Sequence, residues 1–238
     1  MDYKSYVGPV TRYDLMGAIQ FNLLTYIGLR EHHTLLDVGC GSLRAGKLFI
    51  PYLLPNKYFG VEPNKWLIDE GIRKEVGRSQ VKIKKPRFLY CDDWRFTDFN
   101  TMFDYIIAQS IFTHASSKQI SDCMREAWKV LSDDGVFIAN FEMGERNYEG
   151  DCWMYPEAVT YTFNHIIELG EAAGFNVYDF SWWHPGGHRW FALAKEGCET
   201  VMKYPEFIPA HITIPTCFKV MPNGTGDTRT SGSRQTTV

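Results

Sequence analysis

No two of the six cysteines, Cys40, Cys91, Cys123, Cys152, Cys198 and Cys217, form a C-x-x-C pair, and neither sign of charge dominates. The 25 Lys and Arg face 28 Asp and Glu, for a formal net charge of -3. The scatter of the thiols argues against a zinc site, and several fall in runs that read as buried strands, which predicts reduced core cysteines. The charge balance removes any general drive toward nucleic acid or an anionic membrane. No apolar run reaches the length of a membrane span, and the opening MDYKSYVGPV lacks a basic stretch followed by an apolar one, so the expected location is the cytoplasm. What the chain does have is 238 residues, 45% hydrophobic and 22% charged, enough for one α/β domain with a sizeable core.

Helical and extended patterns alternate along it. Apolar residues recur at helical spacing in 14–29, with Asp14 placed to cap, and again in 65–76, 117–131 and 157–174. Strand-like runs are TLLDVG (34–39), YFGVE (58–62), RFLYCD (87–92), FDYIIA (103–108), GVFIANF (135–141), FNVYDFSW (175–182) and RWFALAK (189–195). The first five are separated by enough chain for crossovers, which predicts a mostly parallel sheet. Only about a half-dozen residues, centred on HPGGH, separate the last two, so the seventh strand is expected to be antiparallel. The domain reading is a helical cap over 1–33, the main domain over 34–195 with an insertion at 142–156, an extension over 196–221, and a polar tail over 222–238 expected to be disordered.

The stretch LLDVGCGSLRAG (35–46) is a strand running into a glycine-rich turn, which in a parallel sheet lies at the ligand-binding edge. A dinucleotide fingerprint, G-x-G-x-x-G, is met by Gly39 and Gly41 but places Arg44 at the third glycine; a phosphate-binding loop fails at Leu48, where Ser or Thr is required. Glu62, ending the next strand, can accept hydrogen bonds from both hydroxyls of a ribose. Asp92 or Asp93 can meet an adenine amino group, and Trp94 either stacks on the adenine ring or wedges into the core. The ligand these describe is a nucleoside without a pyrophosphate, which fits S-adenosylmethionine. A nicotinamide-dependent oxidoreductase shares the turn and Glu62; Arg44 and the antiparallel hairpin disfavour it.

LLDVGCG, VEPN, CDDW, FDYIIAQSIFTHAS and REAWKVLSDDGVFIANF, in that order, resemble the motifs of the class I S-adenosylmethionine-dependent methyltransferases over 34–195. The wider string from QFNLL to DEGI resembles a microbial and phage subgroup of them. The family usually carries a third glycine where Leu43 stands. The resemblance implies a Rossmann-like α/β fold, with seven strands, an antiparallel last strand and helices on both faces. It implies close approach of the donor's methionine moiety to Gly39, Cys40 and Gly41, with Glu62 and Pro63 at the ribose and one of Asp92 and Asp93 at the adenine. Gln109, Ser110 and Ile111 would lie near the sulfonium. Arg44 either pairs with the methionine carboxylate or lies on the helix surface. Asp37 is expected to order the turn through backbone N–H groups. An inactive, cofactor-binding relative would share all of these features.

Methyl transfer asks mainly for positioning, and for a base only when the acceptor arrives protonated. His114 is the candidate base; the competing role is to cap the helix that begins near Ser116. The segment after the fifth strand offers Tyr148, Trp153 and Tyr155 as acceptor walls, with His184 closing the far side; His184 and His188 have no evident third metal ligand. Neither a D-P-P-Y motif nor a Pro-Cys nucleophile follows the fourth strand, which disfavours DNA. The expected acceptor is a small molecule, a glycan or a lipid head group, methylated on oxygen.

Overall fold

The computed structural model describes residues 2–210; Met1 and 211–238, which include Cys217, the end of the extension and the tail assigned to 222–238, lie outside the described residues. Two 3-10 turns, Ser5–Val7 and Val10–Arg12, lead into α1 (Tyr13–Tyr26). There follow β1 (Leu35–Val38), α2 (Gly46–Tyr52), β2 (Tyr58–Val61), α3 (Lys65–Gly71), α4 (Arg78–Lys84), β3 (Arg87–Leu89) and β4 (Phe103–Ala108). The second half comprises α5 (Ser117–Val130), β5 (Leu131–Met143), β6 (Thr160–Tyr161), α6 (Phe163–Ala172), β7 (Asn176–Phe180), β8 (Arg189–Ala194), α7 (Glu199–Met202) and β9 (Phe207–Pro209).

The sheet runs β3-β2-β1-β4-β5-β8-β7-β9, and β6 pairs with the end of β5. The strands from β3 to β5 are parallel, and β8 lies antiparallel to both β5 and β7. Strand alternation splits the apolar residues into two cores, one on each face. Leu36, Ile106 and Phe137 pack with α5 and α6, whereas Leu35, Ile107 and Ile138 pack with α1 and α2. In α5 the buried Ile120, Cys123, Met124, Ala127 and Val130 follow the helical repeat, and Ser116 with Gln119 forms a capping box at its start.

The described sheet has nine strands rather than seven. The two extra ones are two and three residues long, too short to leave a period, and β9 ends in a proline that only a sheet edge tolerates. The helix expected over 157–174 begins at Phe163, because Thr160–Tyr161 pairs with β5 and the Thr162 side chain caps the helix. The helix expected over 65–76 is α-helical only to Gly71 and finishes in a π turn. Asp14 does not cap α1; it sits in the first turn and pairs with Lys47. Of the five described cysteines, all reduced, Cys152 alone is exposed.

Candidate active site

The carboxyl ends of β1 to β4 open onto a cavity of about 880 Å³, large enough for a nucleoside together with a small second molecule. After β1 the chain turns through Gly39 (φ 69°), Gly41 (φ 53°) and Leu43 (φ 60°). The left-handed conformation costs a leucine roughly 1–2 kcal/mol. Leu43 is fully buried, which offsets that cost by roughly 1.5–3 kcal/mol. Two helices approach this turn through glycines. A Cβ on Gly17 of α1 would stand 2.4 Å from the Arg44 carbonyl oxygen, and one on Gly71 of α3 would stand 2.4 Å from that of Ser42.

Glu62 leaves the end of β2 almost buried, at 7% exposure, and burial raises its pKa. Its Oε1 accepts from the Asn64 backbone and side chain, both at 2.9 Å, and its Oε2 accepts from the Gly41 N–H at 3.2 Å. These bonds fix the carboxylate between the two loops and use three of its roughly four acceptor sites, leaving one on Oε2 for a hydroxyl. Pro63, Asp92 and Trp94 share the wall with it, and Trp94 also packs on the core. Asp93 turns away and pairs with Arg95 at 2.9 Å. Asp37 lies beneath the turn rather than on the cavity. It accepts the Tyr58 hydroxyl at 2.7 Å rather than backbone N–H groups, and burial pushes its carboxyl up to about 6. Cys40 is buried against the backbone of Gly60, with its thiol pushed well up by burial, and it too is off the cavity.

Gln109, Ser110 and Ile111 follow β4 along the wall. The Ser110 N–H donates to Asn140 Oδ1 at 2.7 Å, which turns the Asn140 amide nitrogen toward His188 Nδ1 at 3.0 Å. His114 follows directly, its N–H donating to the Ile111 carbonyl at 3.1 Å, with Trp153 and Tyr155 packed against its ring, while Tyr148 lies off the cavity with its hydroxyl toward the Cys152 carbonyl. His114 Nδ1 meets the Glu157 carbonyl at 2.8 Å. That nitrogen therefore carries the proton, and Nε2 keeps its lone pair. Burial lowers the pKa of the ring, which favours this neutral form. His114 does not cap α5; the Ser116 side chain does.

His184 and His188 stack with ring centroids 4.1 Å apart, and His184 Nδ1 accepts the N–H groups of Gly186 and His188 at 3.1 and 3.4 Å. Burial drives the His184 pKa down to about 3. Of the five buried side-chain atoms without a partner among the described residues, three, Gln109 Oε1, Thr113 Oγ1 and His184 Nε2, belong to residues that line this cavity, whereas Trp190 Nε1 and Glu206 Oε2 do not. Such orphaned groups, the carboxylate after β2 and the glycine turn together fit an adenosyl donor with a charged amino-acid end. No group of three or more His, Cys, Asp or Glu among the described residues can hold a metal.

The N-terminal strap was missed in the sequence. Tyr6, Val7, Gly8 and Arg12 all face the cavity, the Tyr155 hydroxyl donates to the Tyr6 carbonyl, and Arg44 donates to the Val7 carbonyl at 2.8 Å. Gly8 and Pro9 ahead of the α1 pattern were the signal that could have found it, since they mark a turn whose residues need a surface to lie on. Asn140 and His188 were also missed as a pair, because nothing local joins them.

Residues 36–137 match the family described as "Methyltransferase domain". None of the curated proteins matches the chain. Among solved structures, the magnesium protoporphyrin IX methyltransferase of Synechocystis, with S-adenosylmethionine bound, is 13% identical with a TM-score of 0.58, over 78% of this chain and 81% of that one. An S-adenosylmethionine-dependent methyltransferase of Clostridium acetobutylicum is 16% identical with a TM-score of 0.55, over 83% and 93%. A TehB-like one of Corynebacterium glutamicum is 19% identical with a TM-score of 0.55, over 76% and 88%.

Proposed function

From the premise that this chain carries a methyltransferase domain in the class I S-adenosylmethionine-dependent fold, with S-adenosylmethionine as its cofactor, we propose that it methylates an oxygen of a small molecule, a glycan or a lipid head group. The observation that carries the reading is the His114 tautomer. A half-buried neutral imidazole, held through Nδ1 by the Glu157 carbonyl, offers Nε2 to a hydroxyl proton beside the residues that follow β4. The Synechocystis relative is itself named for a small-molecule acceptor, and a cavity roofed by the Tyr6–Tyr155 contact suits one here.

Bound S-adenosylmethionine supplies an electrophilic methyl carbon on a sulfonium. Glu62 would hold a ribose hydroxyl, with Asp92 and Trp94 at the adenine. Arg44, half-buried beside the glycine turn and, among the described residues, without a carboxylate within 4.0 Å, would take the methionine carboxylate. Trp153, Tyr155 and the strap would exclude water from the acceptor oxygen, and His114 Nε2 would receive its proton.

Calorimetry tests the donor half. S-adenosylhomocysteine should bind and NAD should not. Glu62→Ala should weaken binding by roughly 10–100-fold, the value of charge-assisted hydrogen bonds worth about 1.5–3 kcal/mol. Unchanged affinity in a folded Glu62→Ala protein removes the ribose assignment.

A further inference from the structure

Of residues 2–12, which carry the strap into α1, only Tyr3 is buried; the others are half-buried or exposed, so the segment rests on a few side-chain bonds rather than on a packed face. Segments of that kind open most readily. The far end of the strap is clasped outside the cavity. Tyr3 donates to Glu75 Oε1 at 2.5 Å and Lys4 Nζ stands 3.2 Å from the same oxygen, while Lys47 of α2 holds Oε2 at 2.8 Å. Tyr3 clusters with Tyr13 and Leu67, and Lys74 lies over its ring, 4.7 Å from the centroid. Burial raises the Glu75 carboxyl, and the bonds from Lys47, Tyr3 and Lys4 outweigh it, holding the group below its ordinary range. The clasp is therefore ionic at neutral pH. Glu75 stands in the π turn that follows α3, an irregularity frequent at functional sites, and it does not line the cavity.

Between this clasp and α1 the strap crosses the glycine turn. Val7 lies against Gly41, where a Cβ would stand 2.8 Å from its Cγ1, and the Val7 carbonyl accepts from Arg44. The Tyr6 carbonyl accepts the Tyr155 hydroxyl, and the Tyr6 ring meets those of Trp66 and Tyr155 at centroid distances of 5.3 and 5.8 Å. Two neighbouring carbonyls thus tie the strap to the glycine turn on one side and to the Tyr155 segment on the other. Gly8 follows at φ 123°, a conformation that residues with a side chain rarely adopt. Beyond it the 3-10 turn Val10–Arg12 is anchored separately, by Arg12 on the Pro185 carbonyl at 3.3 Å. A pivot at Gly8 frees 2–7 and leaves α1 in place.

Resting on the donor assignment above, we propose that residues 2–7 are a strap that opens about Gly8 to exchange S-adenosylmethionine for S-adenosylhomocysteine, and that Glu75 is the positioning residue that holds it closed. Glu75 acts through Tyr3 and Lys4 and touches no ligand. Opening breaks the Tyr6 and Val7 carbonyl bonds together, so release of the spent donor also loosens the Tyr155 segment.

The test uses the full chain with S-adenosylhomocysteine. Its binding should slow hydrogen exchange at the amides of 2–7 by roughly tenfold or more. Tyr3→Phe combined with Lys4→Gln removes the strap side of the clasp and leaves Lys47 on Glu75. In that variant, stopped-flow fluorescence should show dissociation faster by roughly tenfold or more, the value of charge-assisted hydrogen bonds, with an unchanged urea midpoint. Glu75→Gln should have the same effect on dissociation, and Glu75→Asp, which keeps the charge, should recover part of it. The proposal is overturned if the strap amides exchange equally fast with and without ligand, or if dissociation is unchanged in both the double variant and Glu75→Gln. It is equally overturned if faster dissociation comes with faster exchange throughout α2 and α3, since Glu75 then supports the fold rather than the strap. Failure of the wild type to bind S-adenosylhomocysteine instead overturns the donor assignment beneath it.

Discussion

On the wall proposed to hold the donor, Gly39, Glu62, Asp92 and Gln109 each stand within three residues of the end of a parallel strand; on the wall proposed for the acceptor, Tyr6, His114, Tyr155 and His188 come from four separate segments. The donor wall is a property of the sheet, because a parallel strand that ends must release its chain at that edge. The other wall consists of segments laid over the edge and tied to one another by ring and hydrogen-bond contacts, such as the Tyr155 hydroxyl on the Tyr6 carbonyl and the Tyr155 ring on His114.

The sharpest way to break this division is His114→Ala. With the base on the acceptor wall, kcat should fall roughly 10²–10⁴-fold while S-adenosylhomocysteine affinity holds. Because burial lowers the His114 pKa, the acid limb of the wild-type rate should lie below the ordinary imidazole value of 6.5. A mutant that keeps its kcat and the same acid limb moves the proton transfer elsewhere.

Asp37→Asn probes the base of the donor wall. The Asp37 pKa is raised from 3.8 to about 6, so the native state binds a proton that the unfolded chain has already released. The stability this confers is complete below 3.8 and is lost as pH rises through about 6; two units correspond to about 3 kcal/mol. In the ligand-free protein, urea midpoints should show Asp37→Asn gaining on the wild type by about that amount across the window. Parallel curves would mean that Asp37 is not buried as a carboxylate.

The smallest effect belongs to Ser116→Ala, which removes the capping box of α5 two residues beyond His114. A stability loss of roughly 0.5–2 kcal/mol is expected, with kcat unchanged in the folded fraction. A rate loss here would show that the start of α5 also positions the acceptor wall.

The parallel order of the strands and the antiparallel hairpin were legible because connection lengths constrain strand direction. β6 was not, since Thr160 and Tyr161 lie inside a run of helical spacing, and only pairing with Glu142 and Met143 draws them into the sheet. Glu62 and Asp92 were legible at the cavity from their place after strands. That Asp92 rather than Asp93 faces it was not, because the choice depends on where Arg95 lies.

By itself the sequence determined the donor half: a glycine turn after one strand and carboxylates after two others are local arrangements, set by hydrogen bonds and backbone sterics within a few residues. Tertiary structure alone decided the acceptor half. Whether His114 offers a lone pair depends on a carbonyl 43 residues away, and whether His188 offers a proton depends on an amide 48 residues away. A histidine tautomer is fixed by what its other nitrogen touches, and in this protein those partners meet only when the chain has folded.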